Sequence, residues 1–377
     1  MRKQRIIGIA ILGINNRSIF NDDKQVIQDK QQIKQENLTI DEKVDQIVAS
    51  MSQTEKLGQM VMIGIQGTKV DDDSLYMLNQ YHMGGVILFD RNMESPEQVK
   101  QLTSDLQAQS NEKVPLFIGI DEEGGDVVRM AEKLTPAPSQ KEIGATGDIE
   151  QAKTWAIKTA KSLKDMGINV NFAPVADVGS NDKRSYSTDA NTVIDFVRAA
   201  TKGYQQENII YSLKHFPGIG KGKVDSHIDS SSIDVAKEVL MTEDILPFKT
   251  IIDESDPNDY FILVSHLKYL ALDEEYPASL SSKIMTDLLR NKLGYKGIII
   301  TDDMEMGAVA NHNDFRSIGV NAVKAGADIV LVCHEYKHQQ EVYLGLLDTV
   351  NSGEISQERI DESVKRIIKV KLLHLYQ

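Results

Sequence analysis

Asp225 and His227 stand two residues apart, just downstream of the run Lys214-His215-Phe216-Pro217-Gly218-Ile219-Gly220. A carboxylate at that spacing can orient an imidazole, raise its pKa and stabilise the imidazolium, which suits the pair to act as general acid and then as base. Pro217, Gly218, Gly220 and Gly222 make the connecting segment an irregular loop able to move. A lone Asp-x-His is usually incidental. Attached to Lys-His-Phe-Pro-Gly at the end of a strand, it points to chemistry. A second constellation is Gly297-Ile298-Ile299-Ile300-Thr301-Asp302-Asp303-Met304, an apolar strand ending in adjacent carboxylates. One of them can point into a site as a nucleophile, while the other binds backbone or caps the next helix. A third, Ile120-Asp121-Glu122-Glu123-Gly124-Gly125-Asp126-Val127-Val128-Arg129, places Asp121 and Arg129 where they could grip hydroxyl groups. Its glycines let backbone approach a ligand. The fourth is Asn171-Phe172-Ala173-Pro174-Val175-Ala176-Asp177, with Arg184-Ser185-Tyr186 beyond it.

The elements that must position these residues alternate along the chain. Short apolar runs at Gln59–Ile65, Gly85–Phe89, Leu116–Ile120, Asn169–Phe172, Ile209–Lys214, Tyr260–Val264, Gly297–Thr301 and Asp328–Val332 read as strands. Runs apolar throughout, such as the last two, suit parallel strands covered on both faces. Segments 96–110, 149–166, 190–207, 234–255, 281–293, 314–325, 337–351 and 356–374 carry helical spacing of apolar residues. Ser52-x-x-Glu55 has capping-box spacing before the first strand. The pattern predicts a single α/β domain, a (β/α)8 TIM barrel over residues 38–377, with no second domain after it. Asp121, Asp177, His215, His266 and Asp302 then fall after successive strands, on the face where such barrels build their sites.

Composition narrows the function classes. The formal net charge of −14 argues against a nucleic-acid partner, which needs a basic face to replace phosphate counterions. A single cysteine, Cys333, excludes an intrachain disulfide and a cysteine-based zinc site, and reads as a buried thiol. No apolar run reaches the length of a membrane-spanning helix. Residues 1–37 read as an extension: Arg2, Lys3 and Arg5 precede an apolar stretch from Ile6 to Ile14, as in a secretory signal, and a polar tether follows. Export or association with the cell envelope is favoured over the cytoplasm on that basis. A monomer is expected.

Together the four constellations resemble glycoside hydrolase family 3, in particular its single-domain β-N-acetylglucosaminidase branch, over roughly Ser52 to Leu373. The resemblance rests on Lys214-His215-Phe216-Pro217-Gly218 with Asp225-Ser226-His227, on Asp121-x-Glu123-Gly124-Gly125-x-Val127-x-Arg129, and on Thr301-Asp302-Asp303-Met304-x-Met306-Gly307-Ala308. It implies Asp302 as nucleophile, His227 with Asp225 as acid/base, and Asp121, Arg129, Arg184, Lys214 and His215 as sugar-binding residues. It implies a carbohydrate substrate containing N-acetylglucosamine, from peptidoglycan or chitin-like material, and neither cofactor nor metal. The family often has a His where this chain has Ile219, and Asp-Gln-Glu-Gly-Gly-Arg where it has Asp121-Glu122-Glu123-Gly124-Gly125-Asp126. These departures are expected to act on contacts beyond the first sugar.

Other readings start from the same residues. A β-glucosidase-type member is one. A phosphorylase is another, because an imidazole base adds no negative charge against phosphate. A metal-dependent barrel hydrolase would use His215, His227 and His266, but the first strand lacks the His-x-His such barrels commonly carry. A non-catalytic glycan-binding barrel would be expected to have lost Asp302 or the Asp225/His227 pair. His266 ends a strand and could line the site. His82, His312, His334, His338 and His374 read as surface or packing residues, and Trp155 as core.

Overall fold

The computed structural model describes residues 38–110, 114–130, 134–179, 183–222, 231–311 and 313–376. The expected extension over 1–37 lies outside these, and so do Asp225 and His227. The chain divides into two units, 1–43 and 44–377. In the first, Thr39 and Glu42 exchange hydrogen bonds, with the Thr39 N–H donating to Glu42 Oε2 at 2.8 Å.

The second unit is a closed barrel of eight parallel strands. These are β1 (Val61–Gly64), β2 (Gly85–Leu88), β3 (Phe117–Ile120), β4 (Val170–Asn171), β5 (Ile210–Phe216), β6 (Tyr260–Val264), β7 (Ile298–Asp303) and β8 (Ile329–Val332). Each pairs with its sequence neighbours, and β1 closes on β8 through Val61 opposite Val330. β1, β6 and β8 are apolar throughout and buried on both faces, as their sequences require, whereas β5 and β7 carry polar residues toward their C-terminal ends. Inside the barrel, Gly119 leaves room for Met62 and Phe172: a Cβ at that position would lie 2.7 Å from the Met62 Cε. A separate short parallel pair joins Ser232–Ile233 to Lys268–Tyr269.

The opposite end of the barrel is held by ionic contacts. Asp328, fully buried just before β8, accepts from Arg290, Arg366, Ser363 and the Ile299 N–H. Lys371, on the last helix (Gln357–His374), is also fully buried. It donates to Gln59 Oε1 and the Gly84 carbonyl, at the starts of β1 and β2, and among the described residues no carboxylate offsets the burial that pulls its pKa far down. Among the described residues, no helix is long and apolar enough to cross a membrane.

The expected strands all form, with shifted ends. Gln59 belongs to a helix, Gln53–Gln59, opened by the Ser52/Glu55 capping box. β4 keeps only Val170 and Asn171. The continuous helix expected over 234–255 is broken: an i→i+5 turn at Leu240–Asp244 precedes Leu246–Glu254, where Pro247 sits in the first turn. The helix Asp72–Tyr81 was not expected. It has an Asp71/Ser74 capping box and buries Ser74, Met77, Leu78 and Tyr81 along one side.

Candidate active site

Two register irregularities shape the barrel mouth. Between β5 and β6, Leu213 pairs with Ile262 but Phe216 with Val264, so β5 carries one additional residue at Lys214-His215. Between β7 and β8, Ile300 pairs with Ile329 but Asp303 with Leu331, so β7 carries one at Thr301-Asp302. An additional residue re-aims the side chains beside it. The buried Thr301 hydroxyl answers the second irregularity by accepting the Leu331 N–H at 3.1 Å. Both positions therefore carry chemistry-bearing residues: Lys214 and His215 in one case, Asp302 in the other.

At the C-terminal ends of the strands lies a cavity of about 320 Å³, lined among others by Phe89, Asp121, Arg129, Lys214, His215 and Asp302. That is the low end of the volume range for small-molecule sites. Its wall is one run of charge-assisted hydrogen bonds. Arg129 Nη2 lies 3.4 Å from Asp121 Oδ2. Lys214 Nζ lies 2.6 Å from Asp121 Oδ1 and 2.6 Å from Glu123 Oε1. Glu123 takes a bidentate pair from Arg184 at 2.7 and 2.9 Å. Arg184 Nη2 donates to His215 Nε2 at 3.0 Å, which places the ring proton on Nδ1, where it donates to Asp177 Oδ2 at 2.8 Å. Asp177 Oδ1 accepts the backbone N–H groups of His215 and Ile219.

The electrostatics follow from this arrangement. Burial pushes the Glu123 carboxyl upward, but Lys214 and Arg184 outweigh it and hold the group well below the usual carboxylate range. Burial would discharge Lys214, yet Asp121 and Glu123 keep its pKa above the ordinary lysine value. Glu123 reaches this position because Gly124 and Gly125 adopt positive φ (95° and 62°) and fold the loop against Ala137-Pro138-Ser139.

Of the two carboxylates ending β7, Asp303 is engaged by the scaffold. Its Oδ1 accepts the Glu305 and Cys333 N–H groups, its Oδ2 lies 3.2 Å from His334 Nε2, and its carbonyl accepts from His266. Asp302 lines the cavity, and its Oδ1 accepts the Asp303 N–H. Glu305 ties the β7 loop to the chain beyond β8 through the His334 and Glu335 N–H groups and His338.

The structure thus gathers Asp121, Arg129, Lys214, His215 and Asp302 around one cavity. Arg184 stands behind it, bonded to Glu123 and His215. His266 is buried and bonds Ser279 and the Asp303 carbonyl, so it supports the strand end. Both ring nitrogens of His215 and of His266 are engaged by protein groups, which disfavours them as metal ligands. His334, read from sequence as surface or packing, lines the cavity. It stands two residues beyond β8, and the strand-end rule applied to the other strands would have found it. Asp177, expected only on the site face, holds His215, and Glu123, assigned no role from sequence, neutralises Lys214 and Arg184. Cys333 is buried, as expected, with its thiol pKa pushed up by burial. Trp155 is half-buried with Lys158 over its ring, outside the cavity.

The model of the glycosyl hydrolase family 3 N-terminal domain matches residues 52–370. The chain belongs to glycosyl hydrolase family 3. It is 35% identical to beta-hexosaminidase A of Pseudoalteromonas piscicida over 78% of this chain and 54% of that protein. It is 31% identical to a beta-hexosaminidase of Nitrosomonas eutropha, over 76% and 84% of the two chains. A solved family 3 beta-N-acetylglucosaminidase from a Paenibacillus species superposes with a TM-score of 0.83 at 37% identity, covering 86% of this chain and 62% of that one. The family 3 chain described here therefore spans about half the length of the first of these relatives and most of the second.

Proposed function

We propose that the chain is a retaining β-N-acetylhexosaminidase that removes terminal β-linked N-acetylglucosamine. The observation that carries this is Asp302 lining the same cavity as Lys214, His215, Asp121 and Arg129 at the mouth of a family 3 barrel. The named activities of the relatives supply the choice of sugar. Asp302 attacks the anomeric carbon from the face opposite the aglycone while His227, oriented by Asp225, protonates the departing oxygen. Water then attacks the glycosyl-enzyme and gives its proton to His227, freeing Asp302. Asp121, Lys214, Arg129 and His215 hold the sugar hydroxyls. The Glu123–Arg184 pair holds Lys214 and His215 in place from behind. Fragments of peptidoglycan and chitin-like oligosaccharides are the natural substrates of this reading.

The test is turnover of aryl β-N-acetylglucosaminide against aryl β-glucoside, each with and without phosphate. Preference for the N-acetylated sugar, with free sugar released in both conditions, is expected. Preference for the glucoside would overturn the specificity, and a sugar phosphate as product would overturn hydrolysis.

A further inference from the structure

Glu122 lies between Asp121 and Glu123, both used by the site, yet it does not line the cavity. Its backbone is clamped by one side chain: Asn171 Oδ1 accepts its N–H and Asn171 Nδ2 donates to its carbonyl, both at 3.0 Å. Its own side chain closes the loop, with Oε2 accepting the Arg129 N–H at 2.9 Å. Between these two points the chain makes a tight reversal, bridged at Gly124 and Val127. Glu122 therefore fixes the position from which Arg129 reaches the cavity.

The Arg129 guanidinium lies over the Phe89 ring, 5.3 Å from its centroid, but its polar contacts are weak. Its contacts to Asp121 and Asp90 are long, at 3.4 and 3.3 Å, and its Nε is buried with no hydrogen-bond partner among the described residues. We propose that Glu122 is a positioning residue that makes the sugar-binding grip of Arg129 and Asp121 depend on pH. As a carboxylic acid it accepts the Arg129 N–H through its carbonyl oxygen, as a carboxamide would, and leaves the guanidinium to Asp121. As a carboxylate it adds a negative charge that the unpaired Nε–H can answer, drawing the guanidinium inward from Asp121 and the cavity.

The surroundings set where the change falls. Burial pushes the Glu122 carboxyl up to about 7, Arg129 opposes this, and Asp90 and Asp121 reinforce it. From the helix Ala190–Gln206, Tyr204 faces the same group through Asn171, to which it offers an acceptor. Glu123 is neutralised by Lys214 and Arg184. Carboxylates thus surround Glu122 with Arg129 as the one cation that answers it among the groups named. This inference rests on the assignment of Arg129 and Asp121 to sugar binding.

Two measurements test it. The first is the competitive inhibition constant of N-acetylglucosamine from pH 5.5 to 8.5. In the wild type it should weaken above pH 7, approaching about tenfold per pH unit if only the neutral form binds. Glu122→Gln should hold it flat at the acidic value. Glu122→Ala should weaken binding across the whole range. An alkaline loss that persists unchanged in Glu122→Gln would overturn the proposal. The second is ¹³C NMR titration of the glutamate carboxyls, which needs no sugar. A resonance absent from Glu122→Gln should titrate near 7, and one titrating near 4.5 would overturn it. Should N-acetylglucosamine fail to bind at any pH while that resonance titrates near 7, the assigned sugar site fails and the inference with it.

Discussion

Replacing Glu123 by Gln removes a single charge and keeps the side-chain volume. Glu123 and Lys214 are 2% and 3% exposed and meet at 2.6 Å, while the same carboxylate grips Arg184 at two points. Breaking a buried ion pair by removing one partner costs about 3–5 kcal/mol, because the other charge stays buried. Lys214 keeps Asp121 at 2.6 Å, which places the expected loss at the low end, about 3 kcal/mol. The pH dependence has a defined sign. The folded pKa of Glu123 is depressed, so its contribution is present above the ordinary value of 4.5 and is lost as pH falls toward the folded one. Urea unfolding of both proteins at pH 7 and 3.5 should show a gap of about 3 kcal/mol that narrows by about 1 kcal/mol at the lower pH. Turnover of an aryl β-N-acetylglucosaminide should fall about a hundredfold as Lys214 shifts, the order expected for a misplacement near 1 Å. A loss below about 1 kcal/mol at pH 7, or a gap that widens in acid, would refute the view that Glu123 neutralises the wall of the cavity.

The remaining expectations concern the same wall and its loop. Asp177→Asn turns one of the two accepting oxygens into a donating NH2, so the amide can serve either the His215 Nδ1–H or the His215 and Ile219 backbone N–H groups but not both; kcat/KM should drop at least tenfold, about 1.4 kcal/mol, with a smaller change in stability. Gly124→Ala places a Cβ 2.5 Å from the Pro138 carbonyl at φ 95°. It should cost about 1–3 kcal/mol in thermal unfolding and lower activity by displacing Glu123. For Glu122, the folded pKa near 7 lies above the ordinary glutamate value of 4.5, so wild-type stability is intact below 4.5 and declines as pH rises between the two. Glu122→Gln should thus be more stable than wild type at pH 8, by up to about 3 kcal/mol, and close to it at pH 4.5 when followed by denaturant unfolding.

The barrel was legible because most of its strands are buried on both faces and are therefore apolar over most of their length. Gly297-Ile298-Ile299-Ile300 could hardly be anything else, and the helices between the strands show their buried residues at helical spacing. Strand ends were less legible. β5 and β7 run on to Phe216 and Asp303 because an additional residue is accommodated in each, which depends on the neighbouring strand and leaves no mark in local composition. In the site, Asp121, Lys214, His215 and Asp302 stand at strand ends and could be read from position. Glu123 could not, since its meaning comes from Arg184 and Lys214, far away in the chain. His334 is exposed, in keeping with the reading as surface or packing, yet its place just beyond β8 also sets it on the cavity.

The most direct test of the central claim is to react the protein with a 5-fluoro-N-acetylglucosaminyl fluoride, digest it and locate the adduct by mass spectrometry. One glycosyl group on the peptide that contains Asp302, absent from Asp302→Ala, is the expected result. An adduct on another residue, or turnover that survives in Asp302→Ala, would contradict the assignment of Asp302 as the nucleophile of this barrel.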